Sequence, residues 1–279
     1  MMNIHWFPGH MTKSLRMMQE NVKLVDIIFY VVDARAPKSC INPAFTPIIA
    51  NKKIIYIINK ADMVTDADVN FWLNKLKLMG DDAIALNSTS ARSSLALINI
   101  AKRLCKDKLD RYMLRGIKTA IRAMVIGVPN SGKSTLINNL CGKASTVTGN
   151  RAGVTRGKQW VKVSDYFEVL DTPGTLYPKL SDQTAAARLA FIGSIKDEVV
   201  DKNELAYCLI GELIAIDQKI VADKYKIELN EDINLIMSDI ARSRGYLLKG
   251  NLPDIDRTSI AIIDDFRKGR LGKICLDRE

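Results

Sequence analysis

Nearly continuous apolar runs alternate along the first two thirds of the chain with segments whose apolar positions recur every three or four residues. Residues 26–32 (DIIFYVV), 53–58 (KIIYII), 83–86 (AIAL) and 123–126 (AMVI) are the runs. Strands buried on both faces require such a pattern. Residues 160–163 and 167–170 predict two further strands. Between the runs, Phe71, Leu73, Leu76 and Leu78 fall at helical spacing, as do Leu95, Leu97, Ile98, Ala101 and Leu104. Strand and helix in alternation predict an α/β fold with a mostly parallel sheet covered on both faces.

Beyond Leu180 the period changes. Leu205, Leu209, Leu213 and Ile216, then Ile233, Ile236, Met237 and Ile240, recur at three- and four-residue steps, and strand-like runs become rare. A small all-α C-terminal domain is expected over residues 181–279, following an α/β domain over residues 1–180. The boundary falls near Pro178, which discourages helix, with Ser181 placed to cap the next one.

Composition narrows the class. With 47% hydrophobic and 26% charged residues in 279, the chain is an ordinary globular protein, not a disordered or fibrous one. Its net charge of +10 points to a polyanionic partner. That excess is uneven: residues 1–184 hold 26 basic and 14 acidic residues (+12), residues 185–279 hold 15 and 17 (−2). Five scattered cysteines, at 40, 105, 141, 208 and 275, form no CxxC pair. They argue against a disulfide framework or a zinc site and fit a reducing compartment. The longest strictly apolar run, 27–32, is too short to span a bilayer, so no membrane partner is expected.

The strongest chemical signal is Gly127-Val-Pro-Asn-Ser-Gly132-Lys133-Ser134-Thr135, a G-x-x-x-x-G-K-[ST] match between a predicted strand and a helical run. In such a P-loop, backbone N–H groups of residues such as Asn130, Ser131, Gly132 and Thr135 turn inward around phosphates, and the helix N-terminus adds partial positive charge. Lys133 is expected to reach the β- and γ-phosphates, and the Ser134 hydroxyl to ligate Mg²⁺. Asp171-Thr-Pro-Gly174 matches D-x-x-G at a strand end, with Asp171 holding Mg²⁺ through water and the Gly174 N–H meeting the γ-phosphate. Asn59-Lys60-Ala61-Asp62 matches N-K-x-D. The Asp62 carboxylate can accept two hydrogen bonds from guanine, which adenine does not offer. Asn59 supports the loop and the Lys60 stem covers the base. Asn87 and Ser88 sit where a second guanine-contacting loop is due. GTP or GDP is therefore the expected nucleotide rather than ATP, with Mg²⁺ as cofactor.

N-K-x-D precedes the P-loop here, whereas the usual order is P-loop, D-x-x-G, N-K-x-D. The chain thus reads as a circularly permuted P-loop GTPase whose D-x-x-G switch runs directly into the helical domain. The permuted order, with Trp6-Phe7-Pro8-Gly9-His10-Met11, Val32-Asp33-Ala34-Arg35-Ala36-Pro37 and Gln159-Trp160-Val161, closely resembles the bacterial ribosome biogenesis GTPase A family and its mitochondrial relatives. That resemblance implies a factor acting late in assembly of the large ribosomal subunit, with GTPase activity stimulated by that subunit and release after hydrolysis. It makes Thr155 the switch threonine closing over Mg²⁺ and γ-phosphate. Asn130 resembles the P-loop asparagine of potassium-stimulated GTPases, which would add K⁺ as a cofactor. Thr175 and Leu176 follow D-x-x-G, so no Gln is there to orient water. His10, one of two histidines, is the residue the resemblance offers for that task.

Between residues 102 and 122, Lys102, Arg103, Lys106, Lys108, Arg111, Arg115, Lys118 and Arg122 face only Asp107 and Asp110. This segment is the expected contact to structured rRNA, through backbone and shape. The Trp6 motif lies so near the start that bacterial cytoplasm is expected rather than an organelle, and nothing suggests other than a monomer. The competing reading is an RNA-binding scaffold whose nucleotide is structural.

Overall fold

In the computed structural model the described residues are 9–87, 91–142, 159–176 and 182–278, without the side chains of residues 10 and 91–93. The strands are β1 (Ile27–Asp33), β2 (Lys53–Asn59), β3 (Asp82–Leu86), β4 (Ile121–Ile126), β5 (Gln159–Ser164) and β6 (Phe167–Asp171). Helices α1 (Gly9–Asn21), α2 (Thr46–Ile49), α3 (Asp66–Lys77), α4 (Ala91–Leu104), α5 (Lys106–Leu114) and α6 (Lys133–Cys141) are interspersed among them. Five helices follow: α7 (Gln183–Phe191), α8 (Lys202–Ile216), α9 (Gln218–Tyr225), α10 (Ile233–Ser243) and α11 (Ile255–Arg267). All six expected strands form, within a residue or two of their expected bounds.

The sheet runs β3-β2-β1-β4-β6-β5, parallel throughout except for the edge strand β5, which is antiparallel to β6. β1 is central and buried along its whole length. Its side chains alternate between faces, as a period of two dictates. Ile27, Phe29 and Val31 join Leu97, Ala101, Leu136 and Ile137 from α4 and α6. Ile28, Tyr30 and Val32 join the other face, a cluster that continues without a break into Leu205, Leu209, Met237, Ile240 and Phe266. The helices of this region pack on one another, and their apolar stripes share one continuous cluster with that face of the sheet.

Three local expectations differ. In α4, Leu97 and Ala101 are buried with Ile98 and Leu104 packed alongside, but Leu95 faces solvent. α3 buries Trp72 and Leu76, with Val69 and Leu73 packed alongside, while Phe71 and Leu78 face solvent. Its inward face is therefore turned from the one their spacing suggested. α7 is capped by Asp182, whose Oδ1 accepts from the Ala185 N–H at 3.0 Å; Ser181, the expected cap, lies outside the described residues. A carboxylate at this position satisfies an orphan N–H and favours the positive end of the helix.

The C-terminal segment returns to the loops after β1 and β2. The Ile274 N–H donates to Met63 O at 3.0 Å and the Leu276 N–H to Arg35 O at 2.7 Å. The buried Asp277 carboxylate accepts from Ser39 N–H (2.8 Å), Ser39 Oγ (2.9 Å) and an Arg188 guanidinium nitrogen (2.9 Å). Trp72 Nε1 donates to its backbone carbonyl at 3.1 Å. Removing a buried, fully bonded carboxylate strands its partners. Asp277→Ala is expected to lower stability by about 3 kcal/mol, read as a fall in the urea midpoint at unchanged m-value.

Candidate nucleotide site

Parallel strands place their C-terminal ends on one edge, and the three motifs gather there. Asp33 pairs in register with Asn59 across β1 and β2, and Tyr30 with Ile126 across β1 and β4. The loop after β4 runs from Gly127 into α6 at Lys133, so Ser134 and Thr135, both half-buried, occupy the first turn of that helix. The loop after β6 starts at Asp171.

Close approach explains two glycines. A Cβ on Gly132, whose φ is +96°, would lie 2.0 Å from Asn59 Nδ2. One on Gly174 would lie 2.6 Å from the Pro129 Cα and 2.8 Å from Lys133 Nζ. The three motif loops are thus in van der Waals contact through backbone, which any side chain at these positions would push apart. Hydrogen bonds complete the join. Asn59 Nδ2 donates to Ser131 O at 2.7 Å, Lys60 Nζ to Asn130 O at 2.9 Å, and the Thr175 N–H to Gly127 O at 3.3 Å.

Lys133 is buried, and its ammonium donates to Val128 O at 2.8 Å. Burial pushes its pKa down to about 8, with nearby Asp171 opposing part of that fall. Ser134 Oγ donates to Asp171 Oδ2 at 3.3 Å, so a hydroxyl and a buried carboxylate face each other beside the ammonium. Such hard oxygen donors suit Mg²⁺. Among the described residues no group of three or more His, Cys, Asp or Glu gathers to hold a metal.

Lys60 adopts a left-handed conformation, φ 59°, which turns its side chain back toward Asp33. Asp33 Oδ2 accepts from Lys60 Nζ at 2.7 Å and from Arg35 at 2.8 Å, while Oδ1 accepts from Arg35 Nε at 2.9 Å. Burial would raise the Asp33 pKa, but Arg35 and Lys60 together hold it well below the usual carboxylate range. Asp62 is exposed one turn beyond, and Asn87 is half-buried at the end of β3. Ser131 is buried, its Oγ donating to Val128 O at 3.0 Å. Asn130, at φ 58°, donates from Nδ2 to Gly193 O at 2.7 Å. Thr175 is buried, and its hydroxyl donates to Pro173 O at 3.1 Å.

The structure therefore brings together Asn59, Lys60, Asn130, Ser131, Gly132, Lys133, Ser134, Asp171 and Gly174, while Asp62 and Asn87 follow β2 and β3 on the same edge of the sheet. Ser88, Thr155 and the His10 side chain lie outside the described residues. Sequence reasoning assigned no role to Asp33 and Arg35. Their i, i+2 spacing at a strand end was the available signal.

The basic segment is partly neutralised. Lys108 Nζ reaches Asp26 at 2.7 Å, Arg122 Nε reaches Glu168 at 3.0 Å, and Arg103 pairs with Asp82. Lys102, Lys106, Arg111, Arg115 and Lys118 present their charge to solvent.

A protein-family profile described as "50S ribosome-binding GTPase" matches residues 122–238. A second, described as "Ethanolamine utilisation - propanediol utilisation", matches residues 8–105. A protein named Ribosome biogenesis GTPase A from Priestia megaterium is 38% identical over 279 residues, covering 99% of this chain and 97% of its own length. Its namesake from Bacillus cereus is 39% identical over 278 residues, covering 99% and 94%. The crystal structure of GNP-bound YlqF from T. maritima superposes with a TM-score of 0.66 at 26% identity, covering 95% of this chain and 98% of that one. With this identity along nearly the whole of both chains, the protein belongs to the ribosome biogenesis GTPase A family.

Proposed function

We propose that this protein is a circularly permuted GTPase that binds the large ribosomal subunit late in its maturation and leaves after hydrolysing GTP. The observation that carries the reading is the join between motifs. The N-K-A-D loop, earlier in the chain, is bonded through Asn59 and Lys60 to the P-loop residues Ser131 and Asn130, with Asp171 and Gly174 closing the other side. The names of the relatives supply the ribosomal context. Residues 1–180 act as the GTPase domain and residues 181–279 as the helical domain, in a monomer of the bacterial cytoplasm.

The β- and γ-phosphates lie against the backbone of Asn130–Thr135, and Lys133 turns from Val128 O to meet them. Ser134, Thr155 and Asp171 would hold Mg²⁺, which when bound would supply positive charge to the transferring phosphoryl group. Asp62 reads the guanine edge, Asn59 braces the loop, Lys60 covers the base, and Asn87 with Ser88 completes the pocket. The side-chain oxygen of Asn130 is the atom that would ligate K⁺. In the chemical step a water oxygen attacks the γ-phosphorus, the bond to the bridging oxygen breaks, and the water's proton passes to phosphate. The Thr175 hydroxyl is buried with its proton given to Pro173 O, and His10 is the residue we assign to orient that water. His10, in the first turn of α1, does so in the subunit-bound state. The solvent-facing charges of Lys102, Lys106, Arg111, Arg115 and Lys118 contact rRNA phosphates.

Cosedimentation with separated subunits tests the reading. The protein should pellet with the large subunit in a non-hydrolysable GTP analogue, release in GDP, and weaken steeply with salt. Association with neither subunit, or equal association in both nucleotides, overturns it. His10→Ala should keep nucleotide affinity and lose most subunit-stimulated turnover. Unchanged stimulated kcat removes His10 from the mechanism.

Asp62→Asn exchanges an acceptor pair for an amide. It should weaken GDP binding by at least about tenfold, since a paired polar contact is lost, and bring xanthine nucleotides close to GDP in competition assays.

The depressed Lys133 pKa has a signed consequence. Phosphate favours the ammonium, so the pKa must rise on binding. Below pH 8 the lysine of the free protein is already protonated, and GDP affinity should be flat with respect to this group. Above that, binding has to draw in a proton, and affinity should fall by up to about tenfold per pH unit. Calorimetry at alkaline pH in buffers of different ionisation enthalpy reads the proton taken up.

A further inference from the structure

The end of α7 meets the P-loop directly. Gly193, φ +78°, donates its N–H to Ala190 O at 3.0 Å, and the Ser194 N–H reaches Leu189 O at 2.8 Å. This is a Schellman turn, a closure that leaves little freedom. It aims two groups at the crest of the phosphate loop. Ser194, wholly buried, donates from Oγ to Pro129 O at 2.6 Å, and Gly193 O accepts from Asn130 Nδ2 at 2.7 Å. Asn130 holds a left-handed conformation, which costs a non-glycine residue about 1 kcal/mol and persists where its surroundings over-determine it. Here three bonds do so: Lys60 to Asn130 O, Asn130 to Gly193 O, and Ser194 to the preceding carbonyl.

The contact closes a ring. Arg267, at the end of α11, donates to Phe191 O at 3.1 Å and Ala190 O at 2.9 Å, satisfying the last carbonyls of α7. Arg267 O accepts from Arg35 at 3.2 Å, Arg35 binds Asp33, and Asp33 binds Lys60, which returns to Asn130 O. The helical region therefore touches the phosphate loop directly through Gly193 and Ser194, and indirectly through the guanine-side loop.

We infer that the Gly193–Ser194 turn is a positioning element of the nucleotide site, with Ser194 fixing the Pro129–Asn130 crest so that nucleotide affinity depends on this one contact. The inference rests on the nucleotide site proposed above. By linkage the dependence is reciprocal: a nucleotide that tightens the crest must tighten its contact with the Gly193–Ser194 turn.

The test compares the full chain with Ser194→Ala and Asp277→Ala. Asp277 joins the helical region to the loop after β1 without bonding to the P-loop, so its variant reports general loosening. Ser194→Ala should weaken GDP about tenfold and speed its release, the size expected for one lost hydrogen bond that leaves a buried carbonyl unmet. Asp277→Ala should stay within about twofold of the native affinity, despite its lower stability. Hydrogen exchange on the native chain needs no variant to fold. GDP should slow exchange of the Gly193 and Ser194 amides. The inference is overturned if Ser194→Ala binds GDP as the native chain does, if both variants weaken binding equally, or if exchange at Gly193 and Ser194 ignores GDP. A native chain that binds no guanine nucleotide would instead overturn the site itself.

Discussion

A carboxylate that never meets solvent stands at the C-terminal end of β1, and the functional edge of the molecule is organised around keeping it ionised. Asp33 is fully buried, so without partners it would take a proton rather than a charge. Two cations reach it, and both bond the same oxygen, Oδ2. Lys60 comes from the N-K-A-D loop through a left-handed turn, and Arg35 comes from two residues along the same chain. Neither cation is spent on Asp33 alone. Lys60 also holds the P-loop carbonyl of Asn130, and Arg35 also reaches the carbonyls of Phe266 and Arg267 at the end of α11, where the helix dipole favours positive charge. A single desolvated charge thus requires the guanine-side loop, the P-loop and the helical region to occupy their places together.

The sheet explains why motif order along the chain can differ without changing the site. Every loop that contributes to it leaves the C-terminal end of a parallel strand, and all such ends lie on one edge. Their mutual contacts depend on strand neighbours, β2 beside β1 and β1 beside β4, and not on which strand the chain visits first. What the order does change is what comes next. The chain leaves β6 through Asp171–Leu176 and soon enters α7, whose far end closes on Pro129 and Asn130. A conventional order would send the chain elsewhere from that point.

Much of this was legible in the sequence, for a physical reason. Two-sided burial writes near-continuous apolar runs, so β1, β2 and β4 could be placed within two residues, and the motif residues from Asn59 to Gly174 were nameable because phosphate and guanine chemistry constrain their types at short spacing. The inward face of α3 was not, since Phe71 and Leu78 have the hydrophobicity of core residues but sit where the helix turns outward. The Gly193–Ser194 turn was illegible for a different reason. Its partners lie 63 and 65 residues away, and those of Arg35 lie 231 and 232 away. A glycine and a serine after a helix look like an ordinary C-terminal stop. Only the fold shows what the stop rests against.

The charge excess follows the same division between local pattern and fold. Eight basic residues between 102 and 122 suggest one continuous surface, but three of them are drawn to acids at the starts of strands: Asp26 before β1, Asp82 opening β3, and Glu168 early in β6. Those acids line the N-terminal edge of the sheet, whereas the phosphate loop lies on the C-terminal edge. A seven-residue strand spans about 23 Å at roughly 3.3 Å per residue, so an anion held by the remaining exposed lysines and arginines would sit well away from the nucleotide. Screening confines surface charges to about 8 Å at physiological ionic strength. Charge at one edge therefore cannot report directly on phosphate at the other. The helical region, in hydrogen-bonded contact with Pro129 and Asn130, is the part of this molecule placed to do so. The exposed basic residues of 102–118 and the contact of the helical region with Pro129 and Asn130 therefore lie toward opposite edges of the sheet.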